Sequence, residues 1–97
     1  MMDTAIYGQE FLGRTLEVVE STNASLKSIR GAILKETKNT FHVKTQQKEV
    51  VVPKSQCTFR IHYGQGTFTL MGKLICMRPE NRLKELNKIK KIIKRME

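Results

Sequence analysis

The chain contains no tryptophan, two tyrosines and four phenylalanines in 97 residues. So few rings suit a small barrel or sandwich better than a large enzyme core. They also argue against a reader of unpaired bases, because such readers stack bases on aromatic faces. Cysteine is nearly as scarce. Cys57 and Cys76 are too few for a disulfide scaffold, and nothing has C-x-x-C spacing. Together with His42 and His62 they are read as ordinary strand residues and buried thiols. Acidic side chains number nine against eighteen Lys and Arg. The acids (Asp3, Glu10, Glu17, Glu20, Glu36, Glu49, Glu80, Glu85 and Glu97) are scattered, so no spacing suggests a metal pair or an acid–base pair for phosphate chemistry. There is no Walker loop, and Gly64-Gln65-Gly66 reads as a hairpin turn. No apolar run approaches the roughly 18–20 residues of a membrane span. Asp3 and Glu10 flank an N-terminal segment without an apolar stretch, so no signal peptide is expected and the chain is read as cytoplasmic.

What is present in excess is positive charge. The formal net charge is +9, with a sequence pI near 9.9. A solvated surface does not need that excess, so a polyanionic partner is expected, with anionic lipid as the main competitor. Residues 78–97 hold eight Lys/Arg against three Glu, whereas the first 77 residues hold ten against six. The C-terminal segment is therefore the strongest electrostatic feature.

The length predicts one domain over residues 1–97: an N-terminal extension over 1–13, a β-barrel over 14–77 and a helix over 79–97. Ile6 to Leu12 reads as a short helix or turn that stops at Gly13. Thr15 to Glu20 alternates as a strand, and Ser21-Thr22-Asn23 is a turn cluster whose side chains bond local backbone. Ile29 to Glu36 is a second strand, in which Gly31 suggests a bulge or tight bend. Lys38-Asn39 is a hairpin turn in which Asn39 tolerates positive φ. Phe41 and Val43 alternate with His42 and Lys44, and Gln46-Gln47-Lys48 turns into a strand around Val50-Val51-Val52 that ends at Pro53. Phe59 and Ile61 oppose Arg60 and His62. Phe68 and Leu70 continue the pattern, Gly72 breaks it, and Leu74 to Met77 reads as a last strand. Six or seven short strands at this spacing predict a small closed antiparallel barrel of the SH3-like or Sm-like kind, since closure removes exposed edges.

From Pro79 the period changes from 2 to 3.6, and Pro79 suits the first turn of a helix. Leu83, Leu86, Ile89, Ile93 and Met96 line one stripe, while Lys84, Lys88, Lys91, Lys94 and Arg95 lie off it. That stripe must be buried on the barrel, on a partner or on a membrane. Lysine-rich helix faces are often only solvated. Against that stands the overall charge, whose natural use is to neutralise phosphates with release of counterions.

An ordered series of patches adds to this reading: Phe11-Leu12-Gly13, Ser21-Thr22-Asn23, Ile29 with Gly31, Glu36-Thr37 with Asn39-Thr40, Val52-Pro53-Lys54, and Arg78-Pro79-Glu80 with Arg82. In this order they resemble the archaeal ribonuclease P protein component 1 family, over roughly Glu10 to Lys84. No single patch is specific; the series is. The resemblance implies an Sm-like barrel with helical extensions that binds the specificity domain of the ribonuclease P RNA. It implies a non-catalytic subunit of an RNA-based endoribonuclease that removes the 5′ leader from precursor tRNA. Catalytic Mg²⁺ would belong to the RNA, no cofactor and no active site are expected in this chain, and precursor tRNA would be met only indirectly. It also implies a zinc-ribbon protein partner, for which Phe11, Leu12 and Ile29 are the candidate contacts. Two features depart from the family's pattern. The helix from Asn87 to Met96 is longer and richer in Lys and Ile than the usual ending, and the turn Ser25-Leu26-Lys27-Ser28 is poorer in glycine.

Charge and placement nominate the RNA contacts. Lys27, Arg30, Lys38 and Lys54 lie at strand ends and turns, and Arg78, Arg82, Lys84, Lys88 and Lys91 lie on or beside the helix. Arg78 and Arg82 stand out, because a guanidinium binds phosphate bidentately and residues four apart share a face if the helix begins early. Three other readings compete: a ribosomal or other structured-RNA-binding protein of SH3-like fold, a peripheral membrane protein anchored by the helix, and a stand-alone nuclease.

Overall fold

Period-two alternation builds the sheet. The computed structural model describes residues 10–64 and 66–96, apart from the side chain of Leu83. Six strands follow in order: β1 (Thr15–Ser21), β2 (Arg30–Glu36), β3 (Thr40–Lys44), β4 (Glu49–Pro53), β5 (Cys57–Tyr63) and β6 (Gly66–Met71). All neighbours are antiparallel, in the spatial order β4-β3-β2-β1-β5-β6. Leu16, Val18, Ile33, Phe41, Val43, Val52, Phe59, Ile61 and Leu70 point to one side and are buried. Phe41 sits at the centre of that layer, packed edge-on against Phe11 (centroids 6.0 Å apart) and Phe59 (5.2 Å).

Two polar devices close the turns. Ser21 Oγ accepts from Asn23 N–H (3.0 Å), and Asn23 Oδ1 accepts from Ser25 N–H (3.1 Å), which caps a short 3-10 turn over Ala24–Leu26. Thr37 Oγ1 accepts from Thr40 N–H (3.0 Å), and Thr45 Oγ1 accepts from Lys48 N–H (3.1 Å), so the two hairpins on either side of β3 share one closure. Asn39 does not use positive φ; among the described residues other than glycine, only Ser28 does (φ 75°).

The sheet is not closed into a barrel, contrary to the pattern of strands in the sequence. β4 and β6 are the two edges and are not paired with each other. The 3-10 turns that follow them, over Lys54–Gln56 and Gly72–Ile75, pack on one another. The second turn stands where a seventh strand was expected. Leu74 and Ile75 are consecutive and both buried, a pattern a strand does not allow but a helical turn does. Gly72 makes that packing possible: a Cβ there would stand 1.8 Å from the Lys54 carbonyl oxygen. The expected N-terminal helix lies largely outside the described residues, and Glu10 to Leu12 are not helical.

The irregularities of the ladder also fall elsewhere than expected. Gly31 pairs regularly with Leu16. Its glycine is required by a close approach, since a Cβ would lie 2.0 Å from the Lys44 carbonyl oxygen on β3. The shifts in register occur between Val18 and Glu20 and between Ile33 and Lys35. The second shift has a consequence for the site. Ile33 faces Val43, and after one extra residue Glu36 faces Phe41, so Glu36 joins the inward side with them.

Helix α1 spans Pro79–Met96. Ile89 and Ile93 belong to the same buried cluster as the sheet's apolar face, and Leu86 packs against it. The helix therefore docks on its own sheet.

Candidate nucleic-acid interface

Building the site begins inside, with three charged side chains. Lys54 is the residue after β4 and continues its inward parity from Val52, so its side chain runs into the core and is fully buried. Its ammonium donates to Glu36 Oε2 (2.7 Å) and to the carbonyl oxygens of Thr37 (2.7 Å), Ile75 (2.9 Å), Met77 (3.1 Å) and Lys38 (3.3 Å). Three protons thus serve five acceptors from two separate segments, 36–38 and 75–77. Glu36 also accepts from Arg82 Nη1 on α1, and the Arg82 guanidinium lies 4.1 Å over the Phe11 ring. Burial pushes the Lys54 ammonium below the ordinary lysine range; the bond and charge of Glu36 offset part of this, and the charge of Arg82 adds to it. One carboxylate therefore ties the β2–β3 hairpin, the end of β4 and the start of α1 together.

This placement removes three residues from the expected contact surfaces. Lys54 and Arg82 are 0% and 2% exposed, so neither reaches a phosphate, and Phe11, at 0%, reaches no partner. Arg78 precedes α1, where its carbonyl accepts from Asn81 N–H, and its side chain is exposed. Arg78 and Arg82 thus do not share a face. Of the remaining candidates, Lys27, Arg30, Lys38, Lys84, Lys88 and Lys91 are exposed, Leu12 is exposed and Ile29 is half-buried.

The buried network sets how α1 presents its charge. At about 100° per residue, Arg82, Leu86, Ile89 and Ile93 form the inward stripe, while Lys84, Lys88, Lys91 and Arg95 fall on the opposite side. A basic ridge therefore faces outward along the helix. Lys88 is partly answered by Glu85 at 3.1 Å, an exposed pair of little energetic weight. Sequence spacing had missed Arg82 on the inward stripe; Leu83, which it placed there, has its side chain outside the described residues. The i, i+4, i+7, i+11 series from Arg82 to Ile93 was the available signal.

The other candidate chemistry is not assembled. Among the described residues, no three His, Cys, Asp or Glu side chains converge as metal ligands. Cys57 is buried against Ser21 and its thiol is pushed up by burial. Among the described residues no helix is long and apolar enough to cross a membrane, and the apolar stripe an interfacial anchor would need is in the core.

With this geometry in hand, comparison with known proteins is decisive. Residues 4–85 match the family described as ribonuclease P/MRP, subunit p29. The chain belongs to that family. Ribonuclease P protein component 1 of Thermoplasma volcanium is 44% identical over 86 residues, covering 89% of this chain and 93% of the relative. The protein of the same name from Thermoplasma acidophilum is 40% identical over 90 residues, covering 93% and 99%. Among solved structures, a homologue of human RNase P protein Rpp29 matches with a TM-score of 0.58 and 28% identity, over 76% of this chain and 97% of the other. These relatives indicate a protein subunit of ribonuclease P, and the ordered patches in the sequence had pointed to the same family.

Proposed function

We propose that this p29-family chain is an RNA-binding subunit of ribonuclease P that holds the specificity domain of the ribonuclease P RNA in its active form. Family membership carries the enzyme assignment, and the outward basic ridge of α1 in a chain of net charge +9 supports direct contact with RNA. The chain works by shape and charge. Exposed Lys and Arg neutralise phosphates where RNA strands converge, and the low aromatic content favours backbone over base recognition. Cleavage of precursor tRNA, and the Mg²⁺ it uses, belong to the RNA. A zinc-ribbon protein subunit is the expected protein neighbour, with exposed Leu12 at 49% as a contact. The working compartment is the cytoplasm.

The test is to purify the tagged chain from its native cell at moderate salt and sequence the bound RNA, then footprint the complex. Enrichment of one RNA able to mature precursor tRNA, with protections in its specificity domain, is the expected result. Enrichment of ribosomal RNA would transfer the fold to a ribosomal role. Protections confined to the catalytic domain would overturn the domain assignment.

A further inference from the structure

Arg30 opens β2 and Glu36 closes it, so the two ends of this strand lie on the order of 20 Å apart. Glu36 ties the far end to α1 and its basic ridge. The near end carries a second basic region that the family assignment does not explain. There, Ala32 pairs with Lys44, and the Thr45 turn folds Lys48 back beside it. Together with the Ser25–Arg30 segment these residues enclose a groove of about 980 Å³.

The lining of that groove is selective. Arg30, Lys44 and Lys48 line it, and no Asp or Glu does. Two smaller grooves on the molecule each carry a carboxylate, Glu20 in one and Glu10 in the other. None of the three cations takes part in an ion pair among the described residues. The floor is narrowed by Gly31, where any side chain would strike the Lys44 carbonyl, and Ile29 and Val50 line it with half-buried apolar surface. Ser28 stands on the rim at φ 75°, a conformation glycine adopts more easily, and keeps a hydroxyl there. Gln47 adds an amide. No aromatic ring lines the groove, so it offers donors to phosphate oxygens and no platform for a base.

We infer that this groove is a second RNA-contact site, which grips the phosphodiester backbone of the same folded RNA that α1 touches. The inference rests on the RNA-binding reading above and assigns it two new residues, Lys44 and Lys48. The Arg30 end of β2 and the Glu36 end, where α1 is anchored through Arg82, lie about 20 Å apart, too far for one phosphate to meet both. A folded RNA with two backbone segments at that separation engages both.

The experiment titrates labelled ribonuclease P RNA with the full chain at several salt concentrations. It compares wild type, R30Q/K44Q/K48Q and the helix variant K84Q/K88Q/K91Q. The groove variant is expected to lose about tenfold or more in affinity and to flatten the log–log salt slope by about 2–3, with an unchanged unfolding midpoint. Conservative K44R/K48R should restore most of the binding. Wild-type affinity and slope in the groove variant, with a loss confined to the helix variant, would overturn the groove and leave the RNA reading standing. Intact RNA binding with lost capture of a protein subunit would overturn it in favour of an acidic protein partner. Wild type that binds no RNA above background would instead sink the parent reading.

Discussion

Lys54 Nζ stands 2.7 Å from Glu36 Oε2, and neither side chain meets solvent. A buried ion pair gains little over a well-packed apolar pair, because desolvation cancels most of the attraction. Its usefulness here is geometric. The ammonium fixes carbonyls of the β2–β3 hairpin and of the segment leading into α1, while the same carboxylate holds Arg82. The interior of the sheet and the direction of the basic ridge are thereby set by one polar cluster.

Breaking this cluster on one side should be severe. Glu36→Gln leaves two buried cations facing each other, and Lys54→Met leaves several buried carbonyls without their donor and Glu36 with Arg82 alone. Each substitution is expected to cost about 3–5 kcal/mol. Urea unfolding followed by circular dichroism measures this. A loss under about 1 kcal/mol for both would mean that the pair is not the clasp described here.

Much of the fold was legible because alternation is a strong signal where one face is buried. Phe41/Val43, Phe59/Ile61 and Leu86, Ile89 and Ile93 of α1 fell as their spacing indicated, while Met96, placed on the same stripe, is exposed. Closure was not legible. The choice between a seventh strand and a 3-10 turn at Gly72–Ile75 depends on how closely that segment approaches the Lys54 carbonyl, a tertiary contact with no local pattern. Glu36 was hidden for a related reason. Its inward position depends on the extra residue at Leu34, and a bulge reverses the parity from which faces are read. Which of the candidate cations are exposed was only partly legible. Lysine and arginine at strand ends look alike in sequence whether they face water or a buried carboxylate.

Gly31 gives a sharper test of the packing than any apolar residue. Ala at this position forces the β2–β3 ladder apart by the Lys44 carbonyl, in a sheet with little room to yield. The expected loss is above about 4 kcal/mol, against about 0.5 kcal/mol or less for exposed Leu34→Ala. Thermal unfolding of the two variants side by side decides it. Similar midpoints would contradict the close approach.

The two thiols should separate under alkylation. Cys57 is buried and burial pushes its thiol up, so little thiolate forms at neutral pH; Cys76 is only partly covered. Iodoacetamide on the folded chain should label Cys76 first and Cys57 only on unfolding, as read by peptide mass spectrometry. Equal rates on the folded chain would mean that the β1–β5 face opens far more readily than its packing implies.

Arg78 and Arg82 look equivalent in sequence, and the structure makes them opposites. Arg82→Ala removes a buried partner of Glu36 and the cation over Phe11, so it should cost about 3–5 kcal/mol of stability. The fraction that remains folded should bind RNA with an unchanged salt slope, since this guanidinium touches no phosphate. Arg78→Ala should leave stability within about 0.5 kcal/mol, because the side chain is exposed and its backbone role is kept. If Arg78 meets one phosphate, the log–log salt slope falls by about one and affinity drops at every RNA sequence alike. Unfolding and binding measured on the same two variants separate these roles. An Arg82→Ala protein of normal stability with a flattened salt slope would place Arg82 at the RNA and refute the buried clasp.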